Sequence, residues 1–377
     1  LGDDHDGLLI LAHRTEDGIP IKEAFADSDV TFDLELTANR GDCLSHLGVA
    51  RELAARYGRE IRFPEAKSDV PTVSEPSADN LLSKVSIESE NCKLYLAWAI
   101  KGLKVGPSPE WMKRRLEAIG LRPINNVVDV TNYVLMETGN PLHAFDAKKI
   151  AGDEIRIRNA TEGEAIKTLD EVDRKLDESM MVIADAEKPL VIAGVMGSVD
   201  AEVDENTTDI VLEAAWFSPG NVRATARKLN LSTDSSYRFA RDVDPQLTRY
   251  SAQRAIDLIL ETAGGELVPE EVKVGDPPRG DRTIEIAPDF VRSTCGYEVT
   301  DEQLADAWGR LGFSIEKGEQ WKVMVPSFRA EVDRPIDLVE EFVRIHGTTE
   351  IPEARVVCEA VSRHDAAQFP FSEKAAD

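Results

Sequence analysis

Apolar and polar positions alternate over Val30–Leu36 (Val-Thr-Phe-Asp-Leu-Glu-Leu), the period-two pattern of a half-buried strand. The apolar run at 8–12, before the turn Glu16-Asp17-Gly18, predicts another strand. After the loop Asn39-Arg-Gly-Asp-Cys43, Ser45 opens an amphipathic helix over Leu47–Arg56 that ends near Gly58. The Pro/Ser/Asp-rich stretch Pro64–Asn80 reads as a linker.

A second, larger unit runs from about Leu82 to Gly265. Leu94–Leu103 reads as a strand. Ser108 is the expected cap of a helix with Pro109 in its first turn, with Trp111, Leu116 and Ile119 inward and Gly120 past its end. Short strands are predicted at Asp153–Arg158, Met181–Ala184, Leu190–Ala193 and Ile210–Glu213. Pro219 opens a helix to about Leu229. Asp244-Pro245 opens a longer one, with Leu247, Ile256, Leu258, Ile259 and Leu260 on its apolar face, ending at Gly264-Gly265.

A third unit follows the linker Gly275–Gly280. It comprises a strand at Thr283–Ile286 and a helix opened by the capping-box pattern Thr300-x-x-Gln303 and ending at Gly312. A hairpin, Phe313–Glu316 with Trp321–Val325, and a helix from Pro335 to His346 complete it. Two helices and a hairpin suggest a winged-helix-like module. The fold class is α+β, multidomain, with a mixed-sheet central domain ahead of that module.

Composition adds bounds. At 377 residues the chain exceeds one compact core. No run of about 18 apolar residues occurs, so no membrane span is expected. The start at Leu1 lacks a signal-peptide layout, which reads as a cytoplasmic piece truncated at its N-terminus. Cys43, Cys92, Cys295 and Cys358 form no C-x-x-C pair, so buried thiols are expected. The net charge of −26 opposes a broad grip on a polyanion; nucleic acid contact must be local or supplied by a partner.

Three segments carry candidate chemistry. Asn125–Tyr133, continuing to Pro141-Leu-His-Ala-Phe-Asp146, is dense in hydrogen-bonding side chains, which by itself usually means turns and helix caps. Ala193-Gly-Val-Met-Gly197-Ser198 places glycines where a ligand can approach the backbone, although a tight turn explains them equally well. Glu213 is a lone carboxylate in an apolar strand, so it must be paired, protonated or functional. Arg223 or Arg227 would be its structural partner.

Together with Phe32–Ser45, Thr233-Asp-Ser-Ser-Tyr-Arg238, Val243-Asp-Pro245 and Pro326-Ser-Phe-Arg329, these segments resemble the beta subunit of bacterial phenylalanine–tRNA ligase, in order and over nearly the whole chain. The resemblance implies domains at 1–70 (remnant of an N-terminal tRNA-binding domain), 71–272 (editing), 281–355 (winged-helix-like) and 356–377 (a tail). It implies an alpha-subunit partner in a two-alpha, two-beta assembly, tRNA(Phe) as ligand, and ATP used by the holoenzyme, with this piece unable to charge tRNA alone. It also implies hydrolysis of mischarged tyrosyl-tRNA by Thr131, Asn132, His143 and Glu213, with Pro141, Gly197, Thr233 and Ser235 lining the pocket.

An apolar pocket cannot strongly reject an isostere that only adds a hydroxyl, whereas a second pocket that binds that hydroxyl can sort the two. Glu213 is expected to act as an ionised acceptor for the phenol, and His143, Thr131 and Asn132 to position ester and water rather than form a triad. Ser198, Ser235, Ala240 and Asp242 depart from the family pattern of Gly, Ala, Glu and Gly. Glu331, Asp337, Glu340 and Glu341 match a family magnesium site shared with the alpha subunit, Glu331 replacing Asp. Read without the resemblance, acids in a helix's first turn simply complement its dipole. Two rival readings are a scaffold or RNA-binding subunit with decayed editing, and a free-standing metal-dependent hydrolase.

Overall fold

The computed structural model describes residues 30–278, 282–349 and 351. The strand expected at 8–12, the turn at Glu16–Gly18, the end of the Gly275–Gly280 linker and the 356–377 tail with Cys358 lie outside them. Ser45 accepts a hydrogen bond from Gly48 N at 3.0 Å and so caps helix α1 (His46–Tyr57), which Gly58 closes as its sequence predicts.

The chain then lays down β1 (Thr72–Val73), β2 (Lys84–Ile87) and the long β3 (Cys92–Lys101). Helices α2 (Glu110–Ala118) and α3 (Val128–Thr138) lead into β4 (Leu142–Asp146). Six short strands follow: β5 (Glu154–Asn159), β6 (Ala165–Lys167), β7 (Asp173–Lys175), β8 (Met181–Ala184), β9 (Pro189–Ile192) and β10 (Met196–Gly197). After β11 (Ile210–Phe217) come α4 (Pro219–Lys228), α5 (Asp234–Phe239), α6 (Thr248–Ala263), β12 (Glu266–Leu267) and β13 (Glu271–Gly275).

Two mixed sheets organise this unit. One runs β1-β13-β3-β11-β4, with β12 also on β3; the other runs β10-β9-β8-β5-β2. The β1–β13 and β2–β5 pairs are parallel and the remaining pairs antiparallel. All eight residues of β11 are buried, which is why Glu213 sits in an otherwise unbroken apolar run.

A second core forms around Trp308, Trp321, Val323, Leu338 and Phe342. It is built from β14 (Arg282–Ile286), α7 (Pro288–Cys295), α8 (Asp301–Arg310), β15 (Ser314–Glu316), β16 (Trp321–Val325) and α9 (Pro335–His346). The capping box is present: Thr300 Oγ1 accepts from Gln303 N, and Gln303 Oε1 from Thr300 N. Helix α1 joins the module through Ala55 in its core, Arg56 donating to Ile345 O at 2.9 Å, and an Arg344–Glu52 ion pair.

Several sequence expectations are corrected. Val30–Leu36 pairs with no strand among the described residues, and Val30, Phe32 and Leu34 are exposed; alternation makes a strand only where a ladder partner exists. Pro64–Asn80 is no free linker: it supplies β1 and hydrogen-bonds Asp257 and Glu270. Pro109, not Ser108, precedes α2, because the Ser108 hydroxyl donates to Asp129 at 2.5 Å. Met112 and Leu116 face inward from α2, whereas Trp111 and Ile119 are exposed. The helix expected from Asp244-Pro245 starts at Thr248. Helix α7, with Pro288 in its first turn, was not predicted.

Candidate functional site

The site is assembled by register. In the β4–β11 pair, Glu213 stands directly opposite His143, so both side chains rise from one face of the sheet. His143 packs edge-on against Phe145, with ring centroids 4.6 Å apart. From the second sheet, β10 closes over the imidazole. A Cβ on Gly197 would lie 2.8 Å from His143 Cε1 and 3.3 Å from Nε2, so only glycine fits there. The preceding turn needs Gly194 at φ +70°. Thr233 ties that turn to α5: its hydroxyl donates to Val195 O at 2.8 Å and accepts from Ser236 N at 3.0 Å.

Glu213 is buried and its Oε2 has no hydrogen-bond partner. Arg223 donates instead to Ala240 O, and among the described residues no ion pair reaches Glu213, so the structural partner considered from sequence is not used. Burial alone pushes the carboxyl up to about 8. At neutral pH it is therefore mostly a carboxylic acid. This corrects the expectation of an ionised, acceptor-only group: the acid both donates and accepts. Burial also pushes the His143 imidazolium down to about 4, leaving a neutral ring with one donor and one acceptor nitrogen. Two uncharged, proton-exchanging groups thus stand side by side on one face of the sheet.

Other site residues fall less directly. Thr131 is buried on α3 with its hydroxyl bonded to Val128 O at 2.8 Å. Asn132 follows it, half-buried; Pro141 is buried just before β4; Ser235 is half-buried in the first turn of α5. No hydrogen bond joins these four to His143 or Glu213. The polar density of Asn125–Asp129 is mostly structural: Asn125 accepts from Val127 N and Val128 N, and buried Asn126 bonds Gly106 N, Lys104 O and Thr262 O. Ser198 and Tyr95, both buried, carry hydroxyls without partners. Tyr95 lies opposite Ala215 on β3, diagonal to Glu213 on the same face. Sequence reasoning missed it because a tyrosine in an apolar strand looks like core.

The four expected magnesium ligands do not converge. Buried Arg329 donates to Glu341 through Nη1 and Nη2 at 2.5 and 2.7 Å, and to Glu331 through Nε at 2.6 Å. Arg344 adds a 2.7 Å bond, and these arginines hold the Glu341 carboxyl down at about 2. Asp337 caps its own helix, accepting from Arg334 N at 2.9 Å, and Glu340 is exposed. As arranged, with Glu331 and Glu341 engaged by Arg329 and Asp337 capping its helix, these carboxylates do not fit a divalent ion. Among the described residues, only Asp42, Cys43 and Glu52 bring three ligand-type atoms together, and Arg40 already occupies that centre.

The B3/4 domain family matches residues 91–264, and the tRNA synthetase B5 domain family matches residues 284–348. These matches define a chain with a B3/4 domain followed by a tRNA synthetase B5 domain. The phenylalanine–tRNA ligase beta subunit of Geobacter metallireducens is 41% identical over 97% of this chain and 46% of its own length. That of Salinibacter ruber is 42% identical over 94% and 43% respectively. The chain belongs to the phenylalanine–tRNA ligase beta subunit family and spans a little under half the length of these relatives. A solved N-terminal fragment of the phenylalanyl-tRNA synthetase beta subunit from Pyrococcus horikoshii matches with a TM-score of 0.41 at 16% identity, over 82% of this chain and 84% of that one; at that distance it supports no inference. No helix of the described residues is long and apolar enough to cross a membrane.

Proposed function

We propose that the Glu213–His143 cleft hydrolyses tyrosyl-tRNA(Phe) made in error. The chain would act within a ligase whose alpha subunit charges tRNA(Phe) with phenylalanine using ATP. The supporting observation is Glu213 itself: a buried carboxyl whose Oε2 has no partner, beside a neutral histidine that β10 of the second sheet packs against. A phenol meets the protonated Glu213 on equal terms, giving its O–H to the carbonyl oxygen or taking the acid's proton in a hydrogen bond. Phenylalanine leaves both functions unpaired, which costs about 1–3 kcal/mol per unmet group. His143 is held by Phe145 and Gly197 and orients a water towards the ester carbonyl through its acceptor nitrogen. No side chain of the cleft is set up as a covalent nucleophile.

Hydrolysis of tyrosyl-tRNA(Phe) by the chain, with His143→Ala and Glu213→Ala as comparisons, tests the reading. Wild type is expected to exceed the uncatalysed rate at least tenfold and both variants to approach it. Equal rates for all three would leave only the scaffold role.

A further inference from the structure

Strands β6 and β7 are joined by Thr168-Leu-Asp-Glu-Val172, a turn that leaves two large apolar side chains in solvent: Leu169 is 40% exposed and Val172 47%. The arms of this hairpin are anchored, since Ile166 and Leu176 are buried in the central core. Its tip is stiffened by Arg174, which holds Asp170 through Nη1 and Nη2 at 2.6 and 2.7 Å. The tip also docks on β10: Leu169 N donates to Gly197 O at 3.0 Å, and Thr168 bridges Ser198. An exposed leucine is ordinary by itself. Its place here is not. Leu169 Cδ1, His143 Cε1 and His143 Nε2 all lie within 3.3 Å of the point where a Gly197 Cβ would stand. His143 is half-buried, so water reaches part of the ring, and Leu169 stands across Gly197 from it.

We propose that Leu169 is a positioning residue for His143: across Gly197 it keeps bulk water off the imidazole and fixes where the ring stands. The chemistry this serves rests on the hydrolytic reading of the Glu213–His143 pair; the shielding does not. A ring walled by methyl groups stays neutral, because an imidazolium there loses hydration and gains no counter-charge. The surrounding groups supply none. Glu213, opposite on β11, is mostly protonated at neutral pH, and Tyr95 on β3 is held neutral by burial. The Val195–Ser198 segment has no titratable side chain, and Asp170 and Arg174 neutralise each other on the hairpin. On α3, packed against β4, Asp129 is tied to Ser108, Tyr133 to Arg115 and Glu137 to Arg254. Removing the Leu169 methyls therefore lets water hydrate the ion and gives the ring room to tilt.

The full chain carries carbon-13 at histidine Cε1, and NMR follows the His143 ring, whose signal is identified by its loss in His143→Gln. Hydrolysis of tyrosyl-tRNA(Phe) is measured across pH in parallel. Leu169→Ala is expected to move the His143 titration up by about one pH unit and the acid limb of the rate profile with it. At neutral pH kcat should fall roughly fivefold while KM holds. Leu169→Met, which restores an apolar side chain of similar length, should return both towards wild type. Val172→Ala, on the same exposed tip, should change neither. Leu169 is on the surface, and equal melting temperatures confirm that its variants fold. An unmoved His143 titration in Leu169→Ala, or an equal shift in Val172→Ala, would overturn the proposal. If the titration moves but wild type does not hydrolyse the ester, Leu169 shields the ring as proposed and the hydrolytic reading fails.

Discussion

At the scale of single residues, the account turns on two groups whose charge burial suppresses. Glu213 keeps its proton up to about pH 8 in the folded chain, while the unfolded chain releases it near 4.5. Between those values the unfolded state binds fewer protons, so stability falls as pH rises. His143 works the other way: the folded ring refuses a proton down to about pH 4, the unfolded one binds it below 6.5, and stability rises with pH between them. The two effects oppose each other below pH 6.5, and above it Glu213 acts alone. Urea unfolding of wild type is therefore expected to lose on the order of 1.5 kcal/mol between pH 6.5 and 8 from this group, and Glu213→Gln to lose none of it. Gly197→Ala makes a second residue-scale prediction. Its methyl displaces the His143 ring, so ester hydrolysis should drop at least tenfold with little change in substrate affinity, read as kcat falling while KM holds.

At the scale of elements, much was legible because the signals are local. Ser45, Gly58, Pro219 and the Thr300/Gln303 box each mark a helix end through contacts within a few residues, and each is where the sequence places it. The alternation of Val30–Leu36 misled because a period of two says which side chains share a face but not that a neighbouring strand is there. The density of Asn and Asp at Asn125–Asp129 was rightly legible as capping, and it builds the start of α3. The juxtaposition of Glu213 with His143 was beyond reach by periodicity: it is set by the register of two strands far apart in sequence, and although Glu213 stood out as a lone acid in an apolar run, only the family resemblance joined it to His143. Tyr95 carried no signal at all. An element-scale prediction follows from Thr233, which caps α5 and holds Val195 O. Thr233→Ala should cost about 1 kcal/mol in chemical denaturation and loosen the glycine turn over His143.

At the scale of the whole molecule, one ion-pair chain joins α1 to the second core: Arg40 to Glu52, Glu52 to Arg344, Arg344 to Glu341, and Glu341 to buried Arg329. Removing one partner strands a buried charge. Glu341→Gln is expected to destabilise the 282–349 module by roughly 3–5 kcal/mol, seen as an earlier transition in thermal unfolding, and the loss should shrink when Arg329→Met is added. The same engagement explains why Glu341 is not poised for a metal ion in this arrangement.

The most direct test is the ratio of hydrolysis rates for tyrosyl- and phenylalanyl-tRNA(Phe), measured at neutral pH for wild type, Glu213→Gln and Glu213→Ala. A protonated Glu213 resembles an amide in offering one donor and one acceptor, so the Gln variant should keep most of the preference for tyrosyl ester. The Ala variant should lose at least tenfold of it. An Ala variant that discriminates as well as wild type would show that Glu213 does not read the hydroxyl.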